Sequence, residues 1–251
     1  MNKLSKIEIS EKEYFNKIAE KYDKNYHYLE PFTKYKIFKK ASEFARLVGG
    51  YTNTDGLRML EVGCGTGEYT RRVAKLFPKS KITGLDISKQ TVSIAKMKCK
   101  RNKNVSFVVK SVYDTGFPKE SFDVVFGFYV LHHLSIPKLR KEMFRILKSG
   151  GAAFFYEPNL INPAVYLIKS NKYLKEKVGD SPYEWAINPL TIEKNLPGFK
   201  MIKVATSEYI LPLSIIPLKI ITFIDTITDY LKYIPFVKHL GGSVYIFMMK
   251  K

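Results

Sequence analysis

The stretch LEVGCGTGEYT, residues 60–70, decides the fold. A short apolar run, 57–62, enters Gly63-x-Gly65-x-Gly67, and a helical pattern from Tyr69 to Phe77 follows until Pro78 stops it. Glycine reaches positive φ without steric cost and lets backbone approach a ligand closely. The helix start behind the loop adds N–H groups that have no partner within the helix. The spacing excludes two common nucleotide loops. A dinucleotide fingerprint, G-x-G-x-x-G, needs glycine at 68, where Glu stands, and no Gly-Lys-Ser/Thr follows as a P-loop requires.

Outward from this loop, strand and helix signals alternate. KITGLD (81–86) reads as a strand, and Ser88 caps a helix running to about Lys100. VSFVV (105–109) and FDVVFGF (122–128) are strands, the second apolar enough to be buried on both faces of a parallel sheet. Pro137 to Leu147 is a helix ending before Gly150-Gly151, and AAFFYE (152–157) is another buried strand. This βαβαβ order predicts an α/β, doubly wound sheet. Ahead of it, Ser10 and Glu13 form a capping-box pattern for a helix over roughly 11–27, and a second helix spans Thr33 to Leu47. Behind it, 164–177 and 189–196 read as helical, while 199–209 and 243–250 read as strands.

Glu61 immediately precedes the glycine loop, where it would repel a pyrophosphate but not a cationic ligand such as a sulfonium. Glu61, Gly63, Gly65 and Gly67 resemble the first motif of the class I S-adenosylmethionine (SAM)-dependent methyltransferases, an acidic residue followed by G-x-G-x-G. The resemblance is specific over 14–157 and architectural beyond. It implies a mostly parallel seven-stranded, Rossmann-like sheet, SAM as cofactor, and division into an N-terminal helical lid (1–50) and a SAM-binding core (51–251) with insertions at about 158–198 and 210–240. Asp86, at the tip of GLDIS, matches the acidic residue that receives the ribose hydroxyls, with Ile87 beside it. Where the family commonly places Asp or Asn against adenine, this chain has Ser111, followed by Val112; Asp114 is a nearby alternative. YFNKIAEKYDKNY (14–26) resembles the lead helix that closes over the cofactor and makes Tyr22 a candidate contact. Cys64 and Phe128 complete the expected cofactor set. The family likeness extends loosely to ubiquinone- and menaquinone-biosynthesis methyltransferases.

GFYVLHHL (127–134) resembles the substrate-facing edge of small-molecule methyltransferases. His132, His133 and Glu157 are the candidate catalytic residues, although adjacent helical residues should not both face one site. No carboxylate lies in 124–136, so no metal site and a metal-independent in-line displacement are expected. The sequence lacks the N/D/S-P-P-aromatic pattern of base-amino methylation and a Pro-Cys nucleophile, which leaves a small-molecule or lipid-like acceptor. The alternatives are an RNA-directed methyltransferase, favoured only by the net charge of +19, and a non-catalytic SAM-binding protein. Two cysteines and no apolar h-region in residues 1–15 predict a cytoplasmic protein. In the apolar insertion, Ile220, Phe223/Ile224, Ile227, Leu231 and Ile234 form a helical stripe opposite Lys219, Thr222, Asp225, Asp229 and Lys232. That stripe is expected to pack on the sheet, to form a dimer interface, or to be a lid or a membrane-surface contact through about 210–237.

Overall fold

Successive side chains of a strand go to opposite faces of a sheet, and here both faces are covered. In the computed structural model, which describes residues 4–181, 183–209 and 217–251, seven strands form one sheet. They are β1 (Arg58–Val62), β2 (Lys81–Asp86), β3 (Val105–Val109), β4 (Phe122–Phe128), β5 (Leu147–Pro158), β6 (Phe199–Ser207) and β7 (Ser243–Lys250). Their order is β3-β2-β1-β4-β5-β7-β6. β1 to β5 pair in parallel, and β7 runs antiparallel to both β5 and β6. This is the expected doubly wound sheet with one reversed strand. The strand order switches between β1 and β4, so a crevice opens at their C-terminal ends, where such sheets bind ligands.

Leu60, Val62, Val125, Ala153 and Phe155 face one layer, which includes Leu139, Met143 and Ile146 of α6 (Ile136–Ile146). Met59, Val124, Phe126, Phe154 and Phe247 face the other, with α3 (Pro31–Gly49) and α4 (Glu68–Leu76). Phe44 of α3 is fully buried there, its ring centroid 4.7 Å from Phe126 and 5.0 Å from Phe154. α3 is therefore a core helix. The N-terminal part that precedes it comprises α1 (Lys6–Ile18), a 3₁₀ turn (Ala19–Lys21) and the short α2 (Tyr22–Asn25).

α1 starts earlier than the Ser10–Glu13 pattern predicts. The working capping box is Ser5 and Glu8: Ser5 Oγ accepts from Glu8 N, and Glu8 Oε2 accepts from Ser5 N at 2.9 Å. Both pairs have the same sequence form, and the first wins because it lets Glu8 and Glu11 face inward. α5 (Lys89–Lys98) begins at Ser88 as expected. The 164–177 helix is two, α7 (Pro163–Ser170) and α8 (Lys172–Val178), because Asn171 leaves the helix and its side chain caps α8 through Leu174 N at 3.0 Å. Over 189–196 only a 3₁₀ turn forms, Ile192–Asn195. α9 (Leu218–Thr228) lies before β7; residues 210–216 of the same insertion fall outside the described residues. Among the described residues, no helix is long and apolar enough to cross a membrane.

Phe44→Ala should lower the unfolding free energy by about 3–5 kcal/mol, since it leaves a cavity between α3 and the sheet. Urea denaturation checks this; a loss below about 1 kcal/mol would mean that α3 is not part of the core.

Candidate active site

A cavity of about 450 Å³ opens at the crevice between β1 and β4. The glycine loop forms one wall. Gly63, Gly65 and Gly67 all have positive φ, at 67°, 50° and 78°. A Cβ on Gly63 would lie 2.2 Å from Val130 Cγ2, and one on Gly65 would lie 3.1 Å from the Tyr22 hydroxyl. Gly63 is thus required by packing against the loop after β4, whereas at Gly65 the left-handed backbone is what favours glycine, with Tyr22 of the N-terminal segment close by. Asp86 braces the loop: Oδ2 accepts from Gly65 N at 2.8 Å and Oδ1 from Ser88 N at 2.9 Å. Burial raises the Asp86 carboxyl above its usual range against these hydrogen bonds.

Of the expected cofactor residues, Tyr22, Gly63, Gly65, Asp86, Ile87, Ser111, Val112 and Phe128 line this cavity. Glu61, Cys64 and Gly67 do not, and they shape the loop from beneath. Glu61 is buried and accepts from Thr70 Oγ1; burial pushes its carboxyl up to about 8. Cys64 N donates to Leu85 O at 3.0 Å, tying the loop to β2. Gly67 caps α4 in the left-handed region. Ser111 gives its hydroxyl proton to Glu8 Oε1 at 2.6 Å, so Glu8 of α1 stands on the wall beside Ser111 and Val112. Asp114 is exposed and does not line the cavity.

The opposite wall is a cluster of titratable groups. The LHHL segment forms a 3₁₀ turn, Leu131–His133, and both histidines line the same cavity with ring centroids 4.2 Å apart. The expectation that only one faces the site fails, because a carboxylate beneath the turn draws the first ring inward. That carboxylate is Glu157. It is fully buried and does not line the cavity, so it is an anchor and not a group that meets the acceptor. Its Oε1 accepts from Val130 N at 3.1 Å and Leu131 N at 2.8 Å, and its Oε2 contacts His132 Nδ1 at 2.6 Å.

His132 Nε2 lies 3.2 Å from Glu184 Oε1, which leaves neither ring nitrogen free. Burial disfavours its charge, but hydrogen bonds to Glu157 and Glu184 outweigh that and raise it to about 9. His132 is therefore a clamped imidazolium at neutral pH. His133 differs: Nδ1 is 3.0 Å from Glu11 Oε2, while Nε2 is 3.8 Å from Glu184 Oε2, beyond hydrogen-bond range. Its Nε2 makes no hydrogen bond among the described residues, although the Glu184 carboxylate stands near it.

Glu11, Lys169, Asp180 and Glu184 were not legible as site residues. Lys169 Nζ bridges Asp180 Oδ2 and Glu184 Oε1, both at 2.6 Å, and Ser181 Oγ donates to Glu11 Oε1 at 2.8 Å. Burial opposes ionisation of Glu184, but His132, His133 and Lys169 hold its carboxyl far below the usual range. Only the three-residue spacing of Glu8 and Glu11 on α1, which puts them on one helix face, offered a local signal. Ligand atoms of His132, His133 and Glu184 lie within 4.8 Å of one another, a spacing that suits a metal ion. The Lys169 ammonium already compensates Glu184 there.

The clamp gives a pH prediction. His132 is raised in the folded state above its ordinary 6.5, so its stabilisation is complete below about pH 6.5 and lost as pH rises through about 9. The stability gap between the wild type and His132→Asn should shrink by about 2–3 kcal/mol across that window. Urea titrations from pH 6 to about 9.5 check the sign; a gap that widens with pH would contradict the clamp.

Comparison with known proteins agrees with this geometry. The family described as "Methyltransferase domain" matches residues 60–155, from the glycine loop through β5. A demethylmenaquinone methyltransferase of Lactococcus lactis is 31% identical over 167 residues, covering 65% of this chain and 64% of that protein. A malonyl-[acyl-carrier protein] O-methyltransferase of Bacillus cereus is 33% identical over 106 residues, 42% of this chain and 39% of that one. The chain thus spans less than two thirds of the length of these relatives. Among solved structures, magnesium protoporphyrin IX methyltransferase of Synechocystis PCC 6803 with bound SAM superposes with a TM-score of 0.63 at 14% identity, covering 100% of both chains. That likeness concerns the fold alone. The matched segment, the strand order and the acidic G-x-G-x-G loop thus make this chain's core similar to methyltransferase domains of the seven-stranded fold.

Proposed function

We propose that the protein binds SAM at the glycine loop and methylates a small-molecule or lipid-like acceptor held against His133. One observation carries this reading: a single cavity has Gly63, Gly65 and Asp86 on one wall and the His133–Glu11 pair on the other. The residues fit the cofactor. Gly63 and Gly65, both at positive φ, present bare backbone to the cavity, and the half-buried Asp86 carboxylate lines the same cavity, where ribose hydroxyls would donate to it. When bound, SAM supplies a methyl group already activated by its sulfonium, and the transfer we envisage is an in-line displacement.

The chain's own residues then have separable tasks. Asp86 orients the ribose, and Glu8 with Ser111 and Val112 borders the adenine end. A cationic ligand at the loop favours ionised Glu61, which is otherwise held protonated up to about pH 8. α1 and α2 act as the lid. They are fastened by Thr66 Oγ1 donating to Asp23 Oδ1 at 2.7 Å and by Tyr14 Oη donating to Gly179 O at 2.6 Å. Such closure aligns the reactants and excludes water. Phe15, Tyr26, Val165 and Ile168 give the acceptor end an apolar lining, consistent with a largely apolar acceptor. His133 Nε2 takes the acceptor's proton, and Glu11 at Nδ1 stabilises the imidazolium that results. The Lys169 ammonium on Glu184 supports the view that the reaction proceeds without a divalent metal.

Two measurements test this. Asp86→Ala should weaken S-adenosylhomocysteine binding by roughly tenfold to a hundredfold in calorimetry, the loss of a charge-assisted hydrogen bond. A change under about twofold would remove Asp86 from the site. For the acceptor, the protein is incubated with labelled SAM and fractionated cell extract, with a chelator present throughout. Label should enter an organic-soluble, low-mass fraction. His133→Asn should lower kcat by about 10²–10⁴ with little change in the affinity for S-adenosylhomocysteine. Label in RNA or protein, or full dependence on added metal, would contradict the proposal.

A further inference from the structure

Helix α9 is packed with its charged side inward. Ile221 and Asp225, four residues apart on one face, are buried, whereas Ile220, Phe223 and Ile227 are 51%, 66% and 52% exposed. Asp225 Oδ1 lies 2.5 Å from Lys36 Nζ, and its Oδ2 lies 2.7 Å from Lys39 Nζ; Asp229 is 2.6 Å from Lys39. The two acidic groups of the segment are thereby consumed by lysines of α3. The basic groups are not: among the described residues, Lys219, Lys232 and Lys238 have no carboxylate partner. Past the helix end, Tyr230 and Tyr233 remain exposed, and Phe236 is 89% exposed at a φ of 66°. A bulky residue held in the left-handed region costs backbone energy. Here the cost keeps an aromatic ring in solvent, which packing within the chain does not explain.

We propose that this outward face, Leu218 to Leu240, docks the protein on an anionic lipid surface. Contiguous exposed apolar area marks a contact site. Aromatic and aliphatic side chains flanked by lysines suit the boundary between acyl chains and anionic headgroups. The lysines without a carboxylate partner and the net charge of +19 favour a negatively charged surface and repel a second copy of the chain. The docking helix is fastened to α3, and Thr33 of α3, one turn from Lys36, lines the cavity. A lipid-borne acceptor would thus be held close to the site, but the docking surface does not depend on what the acceptor is.

The full-length chain is tested by flotation with vesicles of phosphatidylcholine alone and of phosphatidylcholine mixed with phosphatidylglycerol. Binding should be strong to the mixed vesicles, weak to the neutral ones, and reduced by high salt. The triple variant Phe223→Ser, Tyr230→Ser, Phe236→Ser should keep the wild-type melting temperature and lose affinity by at least about tenfold. Phe236→Ser alone, at a site with almost no packing, should weaken binding in the same direction should the triple variant fold poorly. Lys219→Glu with Lys238→Glu should abolish the preference for phosphatidylglycerol. Wild-type protein that ignores mixed vesicles, variants that bind as tightly as wild type, or a dimer in sedimentation equilibrium that these variants dissociate would each overturn the proposal.

Discussion

The geometry of the site depends on one buried carboxylate. Glu157 sits at the C-terminal end of β5 and collects three backbone N–H groups, of Val130, Leu131 and His132, and the His132 ring from the loop that follows β4. A buried carboxylate without partners would be costly, and several charge-assisted hydrogen bonds offset that cost while fixing the loop. Because Val130 is held, its side chain packs where a Cβ of residue 63 would be, which makes glycine obligatory at the start of the loop. Because His132 is held, His133 is delivered to the cavity with one nitrogen on Glu11 and the other making no hydrogen bond among the described residues. Glu157 thus sets both walls of the cavity without touching its interior.

The remaining charges extend this arrangement across the chain. His132 links Glu157 to Glu184, Glu184 holds Lys169, and Lys169 holds Asp180. Glu11 reaches the same network from α1 through His133 and Ser181. Segments far apart in sequence are therefore joined by charge compensation in a low-dielectric region, where loss of one partner strands the others. The cavity between them has aromatic walls, including Phe128 stacked on Tyr69 at 4.1 Å. Rigid rings at the glycine loop and a polar cluster at the far end suit the proposed methyl transfer, which needs alignment more than chemical activation.

Much of this was legible in the sequence, for identifiable reasons. The apolar strands, the glycine loop, Ser88 and Asp86 carry their meaning locally, and each stands where the pattern predicts. The start of α1 was misplaced because Ser5–Glu8 and Ser10–Glu13 have the same form, and only tertiary contacts of Glu8 and Glu11 separate them. Lys169, Asp180 and Glu184 look like ordinary solvated charges, and nothing nearby in the sequence says that His132 and His133 will meet them. The stripe read over 220–234 holds on α9 for Ile220, Phe223/Ile224 and Ile227 only, because the α-helix ends at Thr228 and Leu231 falls in a 3₁₀ turn, with Ile234 extended beyond it. Which side it turns to solvent is fixed by Lys36 and Lys39, nearly two hundred residues away.

The account stands on the claim that one cavity serves both cofactor and acceptor. A crystal structure of the protein with S-adenosylhomocysteine tests it most directly. The ribose hydroxyls should lie within hydrogen-bond distance of Asp86, the homocysteine part should follow Gly63–Gly65, and the sulfur should face His133 across open space. A ligand bound elsewhere, or one whose sulfur points away from His133 and whose ribose makes no contact with Asp86, would contradict the account.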